Sequence, residues 1–196
     1  MSGTRRPGAH LEQVARAEKA LFGGVTEVLE YRDSRYGRAI HLLQFADSPR
    51  SGLTSFGTIG LSNYDDGTSV DGKPLRVELL GVSPSNIAEF PNMLSTCAFL
   101  VESGRTTLAP GSVVPDVIAE YRPDLPTKHF VFVAPTLWPR RIDVMDFESH
   151  VVSWLLAIPI TDSELAFSKT VASEALQERL MKSTSRVTDF HRKSVA

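Results

Sequence analysis

The segment His150 to Ile160 (HVVSWLLAIPI) most narrows the folds open to this chain. It is almost continuously apolar and stops at Thr161-Asp162-Ser163-Glu164. The run is far shorter than the ~20 residues of a membrane-spanning helix. It also lacks the polar alternation of a strand with one wet face, and fits a strand covered on both sides. Pro159 marks the expected end of that strand, because proline donates no ladder hydrogen bond. A helix starts immediately beyond it. Thr161 at the N-cap and Glu164 three residues on form a capping box, each side chain satisfying a backbone amide of the first turn. Asp162 and Glu164 also put negative charge at the positive end of the helix dipole. A covered strand running straight into a capped helix predicts a sheet with helices on its faces.

The remaining segments supply the covering layers. His10 to Phe22 carries Leu11, Val14, Ala15, Glu18, Leu21 and Phe22 at helical spacing, and Gly23-Gly24 ends it. Val25 to Tyr31 and Arg38 to Phe45 read as a hairpin about the turn chemistry of Asp33 to Gly37. Thr54 to Tyr64 reads as a β-prone run in which Gly57 and Gly60 mark a bulge or a close backbone approach. A polar loop, Asp65 to Pro74, leads to the strand Leu75 to Leu80, with Val77 and Leu79 on one face and Arg76, Glu78 and Leu80 on the other. Asn86 to Glu102 is a second long helix, kinked or begun at Pro91 and stopped by Gly104. The proline-rich stretch Thr107 to Pro126 reads as loop and edge strand, His129 to Ala134 as a short strand, and Ile142 to Phe147 as another. The capped helix breaks near Thr170, a helix resumes from Val171 to Met181, and a basic, partly mobile tail runs from Ser183 to Ala196. The expected class is α+β: a mixed, mostly antiparallel sheet with helices packed on its faces, in one domain over residues 1–196.

Chemistry is scarce in this pattern. A net charge of −2 gives no electrostatic reason to expect nucleic acid or an anionic membrane as a partner. No apolar core follows MSGTRRPGAH, so no secretory signal is read and the cytoplasm is the expected compartment. The single cysteine, Cys97, sits among apolar residues and reads as core. The five histidines show no metal-ligand spacing, and neither GxGxxG nor GxxxxGK[ST] occurs, so no metal or cofactor is expected. Asp65-Asp66-Gly67 with Asp71-Gly72 lacks the alternate ligands and closing glutamate of a calcium loop. Gly60-Leu61-Ser62-Asn63-Tyr64 puts tyrosine where a nucleophile elbow needs glycine. Glu78 reads as a structural ion pair with Arg76, two residues away on the same face, or as an edge-facing charge. No catalytic residue is assigned; the enzymatic alternative is a hydrolase site assembled from Ser62, Glu78 and His129. Recognition is the other use of such residues. Tyr64, Asp65 and Asp66 form one candidate binding loop, and Trp138, Arg140 and Arg141 another, because Trp and Arg dominate interface hot spots. Trp138 could equally plug the edge of the core.

Several segments, in order, resemble the suppressor-of-fused family. WLLAIPITDSELAF matches its strand ending in a Pro-Ile/Leu-Thr step before an acidic helix start; EALQERL and HRKSV match its Leu-rich helix and basic tail. Upstream, Gly60-Leu61-Ser62, RVELLG, NMLSTCAFLVES and HFVFVAP fall in the family's order, and the match runs from about Ser55 to Val195. Two features depart from it: Val171-Ala172-Ser173 stands where many members carry a glycine, and the chain is too short for the second domain of animal members. The resemblance implies a mixed α+β fold and binding rather than catalysis. Animal members clasp an extended peptide of a transcription factor between two domains, an arrangement one domain cannot reproduce. Small bacterial members look like immunity proteins that block a cognate toxin. The expectation is therefore a non-enzymatic immunity-type protein with a protein partner, as monomer or homodimer. A homo-oligomeric scaffold built on an exposed sheet edge is a third option.

Overall fold

A computed structural model describes residues 9–24, 27–33, 37–170, 173–182 and 187–196. Among these, nine strands form one sheet. The chain starts with α1 (Ala9–Phe22) and the antiparallel hairpin β1 (Glu27–Asp33) and β2 (Arg38–Ala46). β3 (Leu53–Ile59) pairs antiparallel with β2 and with β5 (Lys73–Pro84); the short β4 (Ser69–Val70) folds back on the start of β5. After α2 (Phe90–Glu102) come β6 (Val113–Val114), α3 (Val117–Tyr121), β7 (Thr127–Val133) and β8 (Met145–Asp146). The chain closes with β9 (Val151–Thr161), α4 (Asp162–Thr170) and α5 (Ser173–Lys182). The main path is β1-β2-β3-β5-β9-β7-β6, with β5–β9 parallel and the other pairs antiparallel. The expected α+β class and mixed, mostly antiparallel sheet are present.

Both faces of the sheet are covered. On one, Leu79, Phe90, Met93, Leu94, Phe130 and Phe132 form a core with α2 and α3; on the other, Val14, Leu80, Val131, Trp154, Leu156 and Leu176 form a core with α1 and α5. This two-sided burial is why β9 reads as an unbroken apolar run. Cys97 is fully buried in the first core, where desolvation pushes its thiol well above the usual range.

Three local expectations are corrected. β9 does not stop at Pro159 but continues to Thr161. Its pairing with β5 ends at Ala157, so from there it has a partner on one side, a position that tolerates proline. The Gly60–Tyr64 stretch is not strand: Gly60, at φ 109, turns the chain into a 3-10 turn over Leu61–Asn63. The proline-rich stretch contains a helix, α3. Residues 25, 26, 171 and 172 of two expected elements lie outside the described residues, as do 183–186 of the tail. From Val187 the tail is packed: Val187, Phe190 and Arg192 are buried.

Candidate functional site

The sheet has a slot. β5 pairs with β9 from Val151 to Ala157. On the other side, β7 pairs with β9 only from Leu156 onward, and β8 pairs only with Val151 and Val152. Among the described residues, Ser153, Trp154 and Leu155 therefore have no paired strand on that side. The chain leaves the sheet after Val133 and rejoins it at Met145. A cleft of about 700 Å³ lies beneath this arch. Because no described strand closes it, side chains from both faces of the sheet line it: Val77 and Leu155 from one, Trp138 and Trp154 from the other. Arg140 and Arg141 line it as exposed residues, and Val144 beside them is 59% exposed.

The two candidate loops meet this cleft differently. Trp138 is buried against Phe22 (ring centroids 5.6 Å apart) and donates its indole N–H to Ser55 Oγ at 3.0 Å, so it plugs the core while still walling the cleft. Arg140 Nη1 reaches the carbonyl of Ala20 at 3.5 Å. Tyr64 is half-buried against the α2-side core. Asp65 lies 3.8 Å from Arg76, and Asp66 Oδ1 accepts the Thr68 amide at 2.9 Å. Thr68 lines the cleft, so the Asp65–Asp66 turn ends at its mouth.

Ser62 and Glu78 do come together, without His129. Glu78 Oε1 accepts the Gly60 and Ser62 amides at 2.9 and 3.1 Å and the Ser62 hydroxyl at 2.7 Å; Oε2 accepts the Thr58 hydroxyl at 2.7 Å. Both residues are fully buried. Burial holds the Glu78 carboxyl above its ordinary value, with these four donors offsetting only part of that rise. The expected ion pair with Arg76 is absent from this set: Arg76 Nη1 donates to the Ser62 carbonyl at 3.2 Å, on the far side of the turn. His129, on β7, spends its ring nitrogens elsewhere. Nδ1 accepts the Asp116 amide at 2.8 Å, and Nε2 lies 3.0 Å from Asp162 Oδ1. The arrangement is a buried clamp that pins the 3-10 turn to β5. Among the described residues, no group of three or more His, Cys, Asp or Glu could hold a metal ion.

Sequence reasoning missed one part of this region. Glu18 of α1 is fully buried, and its Oε1 accepts the Trp154 indole N–H at 3.0 Å. Gly57 lies beneath it, where a methyl group would collide with the Glu18 carboxyl. The signal was present: a glutamate inside an apolar helical stripe, and a glycine inside a β-prone run.

The model of the suppressor of fused protein family matches residues 37–193. The chain belongs to the suppressor of fused family. Its structure resembles that of a suppressor-of-fused homologue from Neisseria gonorrhoeae, with a TM-score of 0.71 at 15% identity over 94% of this chain and 96% of that one. It also resembles Drosophila suppressor of fused, with a TM-score of 0.64 at 11% identity, over 95% of this chain but 50% of that one. In sequence it is 35% identical over 182 residues to immunity protein YqcF of Bacillus subtilis, covering 93% of this chain and 95% of that protein. Among the described residues, no helix is long and apolar enough to cross a membrane.

Proposed function

We propose that this chain is a non-enzymatic immunity protein that acts in the cytoplasm by binding and blocking a cognate protein toxin. The similarity to YqcF carries the reading, because it extends over nearly the full length of both chains. The site geometry supports it. The polar cluster nearest the candidate residues, Ser62 with Glu78, is buried and serves a turn. The cleft, in contrast, offers a stretch of β9 backbone with no paired strand on one side among the described residues, two tryptophans and two exposed arginines. Such a slot can take an extended segment of a partner by strand addition, with main-chain bonds giving affinity and the flanking side chains giving specificity. Tyr64, Asp65 and Asp66 at one end, and Trp138, Arg140 and Arg141 at the other, form the proposed contact surface. The protein acts as a monomer or homodimer.

Co-expression tests this directly. Cells producing a toxin encoded beside this gene should grow when the protein is present, and the two should copurify. Growth arrest that persists against every neighbouring gene product would count against the reading.

A further inference from the structure

Glu18 of α1 and Glu78 of β5 act on each other as like charges, and burial treats them alike: each is fully inaccessible. Their surroundings do not. Glu78 accepts four hydrogen bonds, two from backbone amides and two from hydroxyls. Glu18 accepts one, from Trp154, and its Oε2 is buried without a hydrogen-bond partner among the described residues. A buried carboxylate needs compensating donors, and a carboxyl that lacks them keeps its proton. The negative charge therefore resides on Glu78, and Glu18 is neutral. We propose that α1 is a proton-held latch: it stays docked on the sheet while Glu18 keeps its proton and opens when that proton is lost.

Among the described residues, the neighbours give no alternative counter-charge. β3 beneath α1 has no titratable residue, and β9 offers only the Trp154 indole. From β5, Glu78 faces Glu18 as a like charge, and Arg76 acts on His10 and His150. From β2, His41 is half-exposed and pairs with Glu30 at 3.4 Å. From the arch over the cleft, Arg140 is engaged with the Ala20 carbonyl. At the other end of α1, His10 packs against His150 and Phe147, its ring centroid 5.0 and 5.9 Å from theirs. Burial and then Arg76 hold both imidazoles below their usual range, so they are uncharged at neutral pH and play no part in alkaline opening. Burial first, then the charge on Glu78, push the Glu18 carboxyl well up, against a smaller opposing pull from Trp154.

Glu18 thus has a raised value when docked and an ordinary one when released. The Glu18 contribution to docking is fully present below the ordinary carboxyl range and is lost as pH rises toward the docked value, by up to about tenfold in the opening equilibrium per pH unit; protonation of the two imidazoles opposes docking only on the acid side of neutrality. Opening would free Trp154 and release Arg140, both of which line the cleft. The latch stands on this geometry and not on the proposed toxin-binding role.

Hydrogen exchange of the α1 amides, corrected for intrinsic exchange and followed from about pH 7 to 10, reads the opening equilibrium. The wild-type protein should open progressively with pH, whereas Glu18→Gln should stay docked with no pH response. Trp154→Phe, which removes the one donor to Glu18, should extend the pH-dependent rise to higher pH. Infrared spectroscopy of the wild-type protein should show a protonated-carboxyl band at neutral pH. An identical pH response in wild type and Glu18→Gln, or no such band in the wild type, would overturn the latch.

Discussion

Glu78 and Glu164 are both buried carboxylates, and each is stabilised by a different set of donors. Glu78 is held by neutral donors of a turn. Glu164 instead faces Arg192 of the C-terminal tail, whose Nη1 and Nη2 reach Oε1 and Oε2 at 2.5 and 2.9 Å. The Thr161 and Val195 amides add bonds of 2.8 and 2.9 Å. Burial pushes the Glu164 carboxyl up, but Arg192 and these amides outweigh it, so the carboxyl rests below its ordinary value. A depressed value contributes stability that is present above the unfolded carboxyl range and is lost as pH falls through the folded value. Arg192→Ala should therefore cost about 3–5 kcal/mol at neutral pH, since it strands a buried charge. That difference should shrink in denaturant titrations as pH falls below the ordinary carboxyl range and through the lowered Glu164 value. Gly57→Ala should cost about 1–3 kcal/mol through overpacking against Glu18. Combining it with Glu18→Ala should recover part of that loss, a coupling that a double-mutant cycle measures. The sequence showed Glu164 as a cap but not its partner, because Arg192 is 28 residues away and only the fold brings them together.

At the scale of elements, the clearest segment was read correctly except for its strand end, which lies at Thr161 rather than Pro159. The strand into Thr161 and the capping box are both present: the Thr161 amide donates to Glu164 Oε2 at 2.8 Å, and the Glu164 amide lies 3.4 Å from Thr161 Oγ1. Thr161→Ala should lower stability by about 1 kcal/mol in thermal unfolding, mainly through α4. Long periodic elements were legible because burial repeats along them; α1 and α2 fall where their stripes put them, and α2 starts with Pro91 in its first turn. α3 was not legible, because five residues carry too little period to stand out from loop composition. The turn at Leu61–Asn63 was misread for a different reason: its apolar and hydroxyl residues suit a strand, and what decides against it is the Glu78 carboxylate across the sheet.

For the molecule as a whole, the class of fold came from layering, since an apolar strand must be covered on both faces. The slot did not. It arises because the chain between Val133 and Met145 departs from β9 for three residues, a matter of register that no local pattern encodes. Of the proposed contact residues, Arg140 and Arg141 line the cleft, whereas Trp138 serves core and cleft together. Reversing charge with Arg140→Glu and Arg141→Glu should leave stability within about 0.5 kcal/mol, as for exposed positions generally. The same pair should weaken toxin binding by at least about tenfold, as loss of rim charge and a hot-spot arginine would. The most direct measurement is calorimetric titration of the purified protein with the toxin encoded beside it, using wild type and this double variant. An immunity protein that blocks its toxin should show saturable binding as wild type, inhibition of the toxin at the same stoichiometry, and weaker binding as the variant. Absence of binding by folded wild-type protein, or inhibition only with turnover of the toxin, would contradict that role.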